Sequence, residues 1–154
     1  IYTGLLKYLE SEDELAGVMG HEMAHADRRH ATDQLTTSYG IDFLLSVLLS
    51  GSSYDYASIA ASLVFLEFSR DNESEADEYS VLYLCPTDYN AAGSAGFFEK
   101  LIADGATGDV PVFLSTHPDP GDRVTEIKAT EVEQGCTGTA TYDEAYQNFL
   151  NLLP

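Results

Sequence analysis

"GVMGHEMAHADRRH", residues 17–30, gathers three of the chain's four histidines into one short run. Within it, His21-Glu22-Met23-Ala24-His25 reads H-E-x-x-H. On a helix, residues four apart lie one above the other on one face. His21 and His25 would then present two imidazoles to a single point, as a Zn²⁺ ion requires. Glu22 would project beside the metal and take a proton from an activated water. The competing reading is a solvated helix face that happens to carry histidines. Choosing between them needs the rest of the chain.

The flanking residues favour a helix over about 11–36. Ser11 is followed three residues later by Glu14, a capping box, and Asp13 and Glu14 sit where the helix dipole favours acids. Leu15, Val18 and Met19 recur at helical spacing and are expected to pack into a core. Gly20 and Ala24 are small enough to admit close neighbours. His30, beside Arg28 and Arg29, is read as a surface bystander, and Asp27 and Asp33 as solvated or paired with those arginines.

Further along, the pattern stays helical. Residues 1–3 look β-like, and an apolar helix is expected around 41–49. A long helix from about 57 stops before Pro86, and another lies within 90–105. Residues 105–122 are a Gly- and Pro-rich loop. A helix starts near Asp119-Pro120 and ends at Gly135. Thr141 and Glu144 form a second capping box. The fold class expected is mainly α.

At 154 residues the chain is about one domain long. Its net charge of −19, from 26 acidic against 7 basic side chains, excludes a nucleic-acid partner, because no basic stripe is present to neutralise phosphates. The same imbalance argues against docking on anionic lipid. The apolar runs at 41–49 and 59–68 are too short or too interrupted to span a bilayer. Cys85 and Cys136 form one disulfide if the chain is exported; two buried thiols are the alternative.

A hydrolytic zinc site needs a third protein ligand. The candidates lie in "SRDNESEADEYS", residues 69–80, where Glu73 and Asp77 are four apart on one face and Glu75 points elsewhere. Spacing alone does not separate this from an exposed acidic face.

Taken together, His21-Glu22-x-x-His25, then Ser69-Arg70-x-x-Glu73-x-x-Ala76-Asp77, then Ser115-Thr116-His117-Pro118 with Arg123, resemble the HtpX-like and CAAX-prenyl-protease-like zinc metallopeptidases, which are gluzincins. They look most like the bacterial members found outside the cytoplasm, often lipid-anchored. The resemblance covers about residues 1–130. It implies a zincin-like helical domain with one Zn²⁺ held by His21, His25 and Glu73. Asp77 would hold a ligand histidine by its other ring nitrogen. Glu22 would be the general base. His117 and Arg123 would lie near the metal, either stabilising an oxyanion or, for His117, closing the open zinc position.

The family's members carry strands just before the part matching Ile1–Leu6, so residues 1–154 are expected to form a single domain lacking that strand region. The activity implied is endopeptidase cleavage of unfolded or misassembled polypeptides in the periplasm or at a membrane, with an upstream lipid anchor. The alternative is a latent or non-catalytic zinc-bound module that binds a partner protein.

Overall fold

The computed structural model describes residues 2–40, 68–105, 117 and 122–153. The expected helix at 41–49, the apolar stretch at 59–67, the upstream part of the long helix and most of the 105–122 loop lie outside them. Seven helices form the described residues: α1 (Thr3–Tyr8), α2 (Glu12–Asp27), α3 (His30–Tyr39), α4 (Arg70–Leu84), α5 (Gly93–Ala103), α6 (Arg123–Gln134) and α7 (Asp143–Leu150). Among the described residues the extended pairing is a lone parallel bridge between Tyr89 and Ala140. The fold is mainly α, as expected. No described helix is long and apolar enough to cross a membrane.

The start of α2 shows how its orphan N–H groups are satisfied. Ser11 Oγ accepts from the Glu14 N–H at 3.4 Å. The reciprocal half of the box goes elsewhere: the Glu14 carboxylate accepts from the Glu10 N–H at 2.8 Å. The Thr141 carbonyl, arriving from the far end of the chain, accepts the Glu12 N–H at 3.0 Å. The α7 helix lacks the expected capping box because it starts at Asp143, which puts Thr141 one residue before the N-cap. Its N-cap is Tyr142, in the left-handed region at φ 51°, with no side-chain cap. At the other end of the chain, α1 starts at Thr3 where a β-like segment was expected.

The long helix expected over 11–36 is two helices. Arg29 adopts φ 62°, ψ 26°, a left-handed conformation that ends α2 and starts α3 at His30. No glycine or proline marks this break, so the hydrophobic period reads straight through it. Met19 is also corrected: it is 38% exposed, while Val18 is buried. By contrast, α4 begins with a complete capping box. Ser69 Oγ accepts from the Asn72 N–H at 3.1 Å, and Asn72 Oδ1 accepts from the Ser69 N–H at 3.3 Å. The α6 helix ends as expected at Gly135, φ 66°.

Leu9, Val18, Val81, Phe97, Leu101 and Ile127 join α2, α4, α5 and α6 in one buried cluster. The α2 and α4 helices run in opposite senses along their contact: Gly17 meets Ser80, His21 meets Asp77 and His25 meets Glu73. Two glycines make the approaches of α2 to α5 and to α4 close enough. A Cβ on Gly17 would stand 2.4 Å from the Ser94 nitrogen of α5, and one on Gly20 would stand 2.9 Å from Ser80 Oγ. Ser80 Oγ donates to the Gly17 carbonyl at 2.7 Å. A Cys85–Cys136 disulfide ties the end of α4 to the segment after α6.

Candidate metal centre

The facing surfaces of α2 and α4 bring the predicted site together. His21, His25, Glu73 and His117 are all buried, and one donor atom from each lies within 4.8 Å of the others. His21 Nε2 is 2.9 Å from His25 Nε2 and 3.3 Å from His117 Nδ1. Glu73 Oε2 is 3.5 Å from His21 Nε2, and its Oε1 is 3.4 Å from His25 Nε2 and 2.9 Å from His117 Nδ1. Four donors around one ion at bond lengths of about 2.0–2.2 Å stand roughly 3.3 Å apart, so this nitrogen- and oxygen-rich set fits a tetrahedral zinc-like ion. Glu22 lies beside the cluster, its side chain 42% exposed and its Oε1 3.4 Å from His117 Nε2.

Protons on the outer nitrogens can be assigned from their partners. His21 Nδ1 lies 2.8 Å from Asp77 Oδ1. Arg123 approaches the same ring nitrogen, at 3.2 Å, but the closer carboxylate oxygen can only accept, so Nδ1 carries the hydrogen. Arg123, at the first turn of α6, donates to Asp77 through Nε and Nη2, both at 2.6 Å. Its Nη1 lies 2.9 Å from Glu73 Oε2. The guanidinium is buried and stacks over Phe98 at 4.0 Å. It thus faces the two carboxylates, not the exposed side where Glu22 stands.

The charges follow from these contacts. Burial raises the Asp77 pKa, but bonds from Arg123 and His21 outweigh it and hold the carboxyl below its ordinary range. Burial likewise opposes ionisation of Glu73, and bonds with His117, His21 and His25 overcome it, keeping the carboxylate charged. For His21, burial lowers the pKa, yet Asp77 and Glu73 reverse the balance and raise it. His25 is lowered, chiefly by burial. The site therefore gathers negative charge and attracts a cation.

His30 overturns the surface assignment made from sequence. It is 2% exposed. Its Nδ1 faces His25 Nδ1 at 2.9 Å and its Nε2 faces Glu75 Oε2 at 2.9 Å. Glu75 is in turn paired with Arg28, at 2.8 Å. The physical reason is the break at Arg29. In an unbroken helix, a residue five positions on would be rotated about 140° from His25. Helical periodicity could not have found this contact, and Glu75 carried no signal beyond pointing away from Glu73. Asp27 is exposed and accepts from Tyr83 Oη at 2.8 Å, a partner other than the expected arginines. Phe68, stacked on the His25 ring at 4.0 Å, was likewise not singled out.

Two histidines one turn apart, a carboxylate from a second helix and a glutamate beside the first histidine are the constellation of a metallopeptidase. The chain belongs to peptidase family M48, which matches residues 1–131. It is similar to the mitochondrial metalloendopeptidase OMA1 of Arabidopsis thaliana, at 36% identity over 121 residues, 77% of this chain and 24% of that protein. It is similar to the metalloprotease YcaL of Escherichia coli, at 29% identity over 136 residues, 83% of this chain and 52% of that protein. The beta-barrel assembly-enhancing protease of the same species is 28% identical over 142 residues, 83% of this chain and 29% of that protein. The chain thus spans about a quarter to a half of the length of these relatives.

Proposed function

We propose that this chain is the catalytic domain of a zinc-dependent endopeptidase acting on unfolded or misassembled polypeptides. One observation carries the reading. The outer nitrogens of His21 and His25 are occupied by Asp77 and His30, so their Nε2 lone pairs point at each other across 2.9 Å, with the ionised Glu73 beside them. Such an arrangement repels itself unless a positive charge, a metal ion or a shared proton, lies among the donors, and the buried carboxylate beside them favours either. His21, His25 and Glu73 are the proposed ligands, and the mixed imidazole and carboxylate set suits zinc.

Bound there, zinc would polarise the scissile carbonyl and make a water acidic enough to attack near neutral pH. Glu22, on the exposed side, takes the proton of the attacking water and delivers it to the leaving amine. Asp77 fixes the His21 tautomer. Arg123 keeps Asp77 ionised and lies against Glu73, a positioning role in place of direct contact with an oxyanion. The name of the beta-barrel assembly-enhancing protease supports misassembled protein as the substrate class. The Cys85–Cys136 disulfide supports an extracytoplasmic setting.

The test is casein cleavage by the zinc-loaded protein, with chelator and with Glu22→Gln. Turnover should vanish in both, with zinc retained by Glu22→Gln. Cleavage that survives the substitution would refute this mechanism. A second reading, a latent enzyme, is favoured by His117 Nδ1 lying within bonding reach of the ligand cluster. On that reading His117→Ala raises activity; a loss instead favours His117 as an oxyanion donor.

A further inference from the structure

We propose that His30 is a positioning residue for the metal site: with Glu75 and Arg28 it forms a relay that fixes the tautomer and orientation of His25. The proposal rests on the metallopeptidase reading above. It goes further by giving His25 an anchor of its own, built from residues outside the ligand motif.

The chemistry is determined by who can donate. A histidine that ligates through Nε2 must carry its hydrogen on Nδ1. His25 Nδ1 faces one polar partner at 2.9 Å, the Nδ1 of His30. Two ring nitrogens at that distance bond only if one holds a hydrogen and the other does not. His30 therefore accepts at Nδ1, which leaves its own hydrogen on Nε2. That nitrogen meets Glu75 Oε2 at 2.9 Å, an acceptor as the arrangement demands. Arg28 closes the chain by donating from Nε to Glu75 Oε1 at 2.8 Å. Each link permits a single direction: His25 to His30 to Glu75, with Arg28 balancing the carboxylate.

This mirrors the other ligand. His21 is anchored by Asp77, which Arg123 grips. Each imidazole thus ends on a carboxylate held by an arginine, directly for His21 and through one intervening ring for His25. The left-handed residue Arg29 makes the second anchor geometrically available, because it turns His30 back over His25. Strained backbone of this kind persists where surrounding contacts hold it. Burial of the His30 ring between His25 and Glu75 is such a contact.

The test compares zinc affinity, by competition with a chromophoric chelator, for the wild-type chain, His30→Leu and His30→Asn. Leucine fills the space without an acceptor. Asparagine places Oδ1 where the His30 Nδ1 acceptor stood. Loss of an anchor of this type lowers metal affinity about 10–100-fold. The expected result is that loss for leucine, with asparagine within a few-fold of wild type. No loss for leucine, or equal loss for both, overturns the proposal. Should His30→Leu fail to fold, long-range proton–nitrogen correlation on the zinc-loaded wild type decides: His30 must carry its hydrogen on Nε2 alone, and a hydrogen on Nδ1 overturns the relay. Failure of the parent reading looks different. There, zinc binding by the wild type would be absent or insensitive to His21→Ala, and the relay would fall with it.

Discussion

Arg123 grips Asp77 with two bonds of 2.6 Å, so a buried cation from α6 neutralises a buried anion of α4 directly behind His21. Removing one partner strands the other. Arg123→Ala leaves Asp77 without its main counter-charge, and breaking a buried pair in this way costs about 3–5 kcal/mol. Urea unfolding of the metal-free protein should show that loss together with a weakened zinc titration. A change below about 1 kcal/mol would mean the pair is better solvated than its burial implies.

Stability should fall at alkaline pH. Tyr8 is pushed up to about 12 by burial and its bond to Asp104, Tyr89 to about 12 by its bond to Glu12 and burial, and Tyr146 to about 12 chiefly by burial, from an ordinary value of 10.0. Between pH 10 and 12 the unfolded chain releases these protons while the folded chain keeps them. The unfolded state then binds fewer protons, so stability decreases as pH rises through this window and is fully present below it. Thermal melts from pH 9 to 12 should show the decline. Tyr146→Phe, which also removes the bond to the Leu6 carbonyl, should make it shallower.

The Cys85–Cys136 bridge closes a loop with a sequence separation of 51. By chain entropy a loop of that length contributes about 4 kcal/mol. Cys85→Ser with Cys136→Ser should lower the melting temperature markedly, and reductant should do the same to the wild type alone. Equal melting curves for oxidised and reduced protein would show that α4 and the segment after α6 stay docked without the link.

Gly17→Ala sets two effects against each other. Alanine is favoured over glycine inside a helix by about 1 kcal/mol. The added methyl would lie 2.4 Å from the Ser94 backbone nitrogen, which no rotamer change can relieve. Overpacking of this kind costs about 1–3 kcal/mol. The substitution should therefore destabilise in denaturant titration; a stabilised variant would show that α5 can retreat from α2.

The sequence made the cluster legible because its logic is local. His21 with His25 and Glu73 with Asp77 are each one helical turn apart, and period alone puts each pair on a face. The meeting of those faces came from resemblance. What stayed hidden depended on backbone geometry or distant partners. Arg29 breaks the helix without a glycine or proline, so His30 read as surface. The α7 helix starts at Asp143 behind Tyr142, one residue later than a Thr141–Glu144 box demands, so that motif does not cap it. At Ser69 the partner three residues on is asparagine in place of the usual glutamate or glutamine, so the sequence carries no capping-box signal there.

The approach of Gly20 to Ser80 bears on how far apart the two helices hold their donors. Gly20 adjoins His21, and Ser80 lies three residues from Asp77, so this contact sets the gauge between the two helices beside the site. Metal–ligand distances tolerate only about 0.2 Å of error. Seating a single methyl at Gly20, 2.9 Å from Ser80 Oγ, would demand a displacement of that order or more. A residue with no side chain thus sets how closely α2 and α4 approach beside the histidine and carboxylate donors.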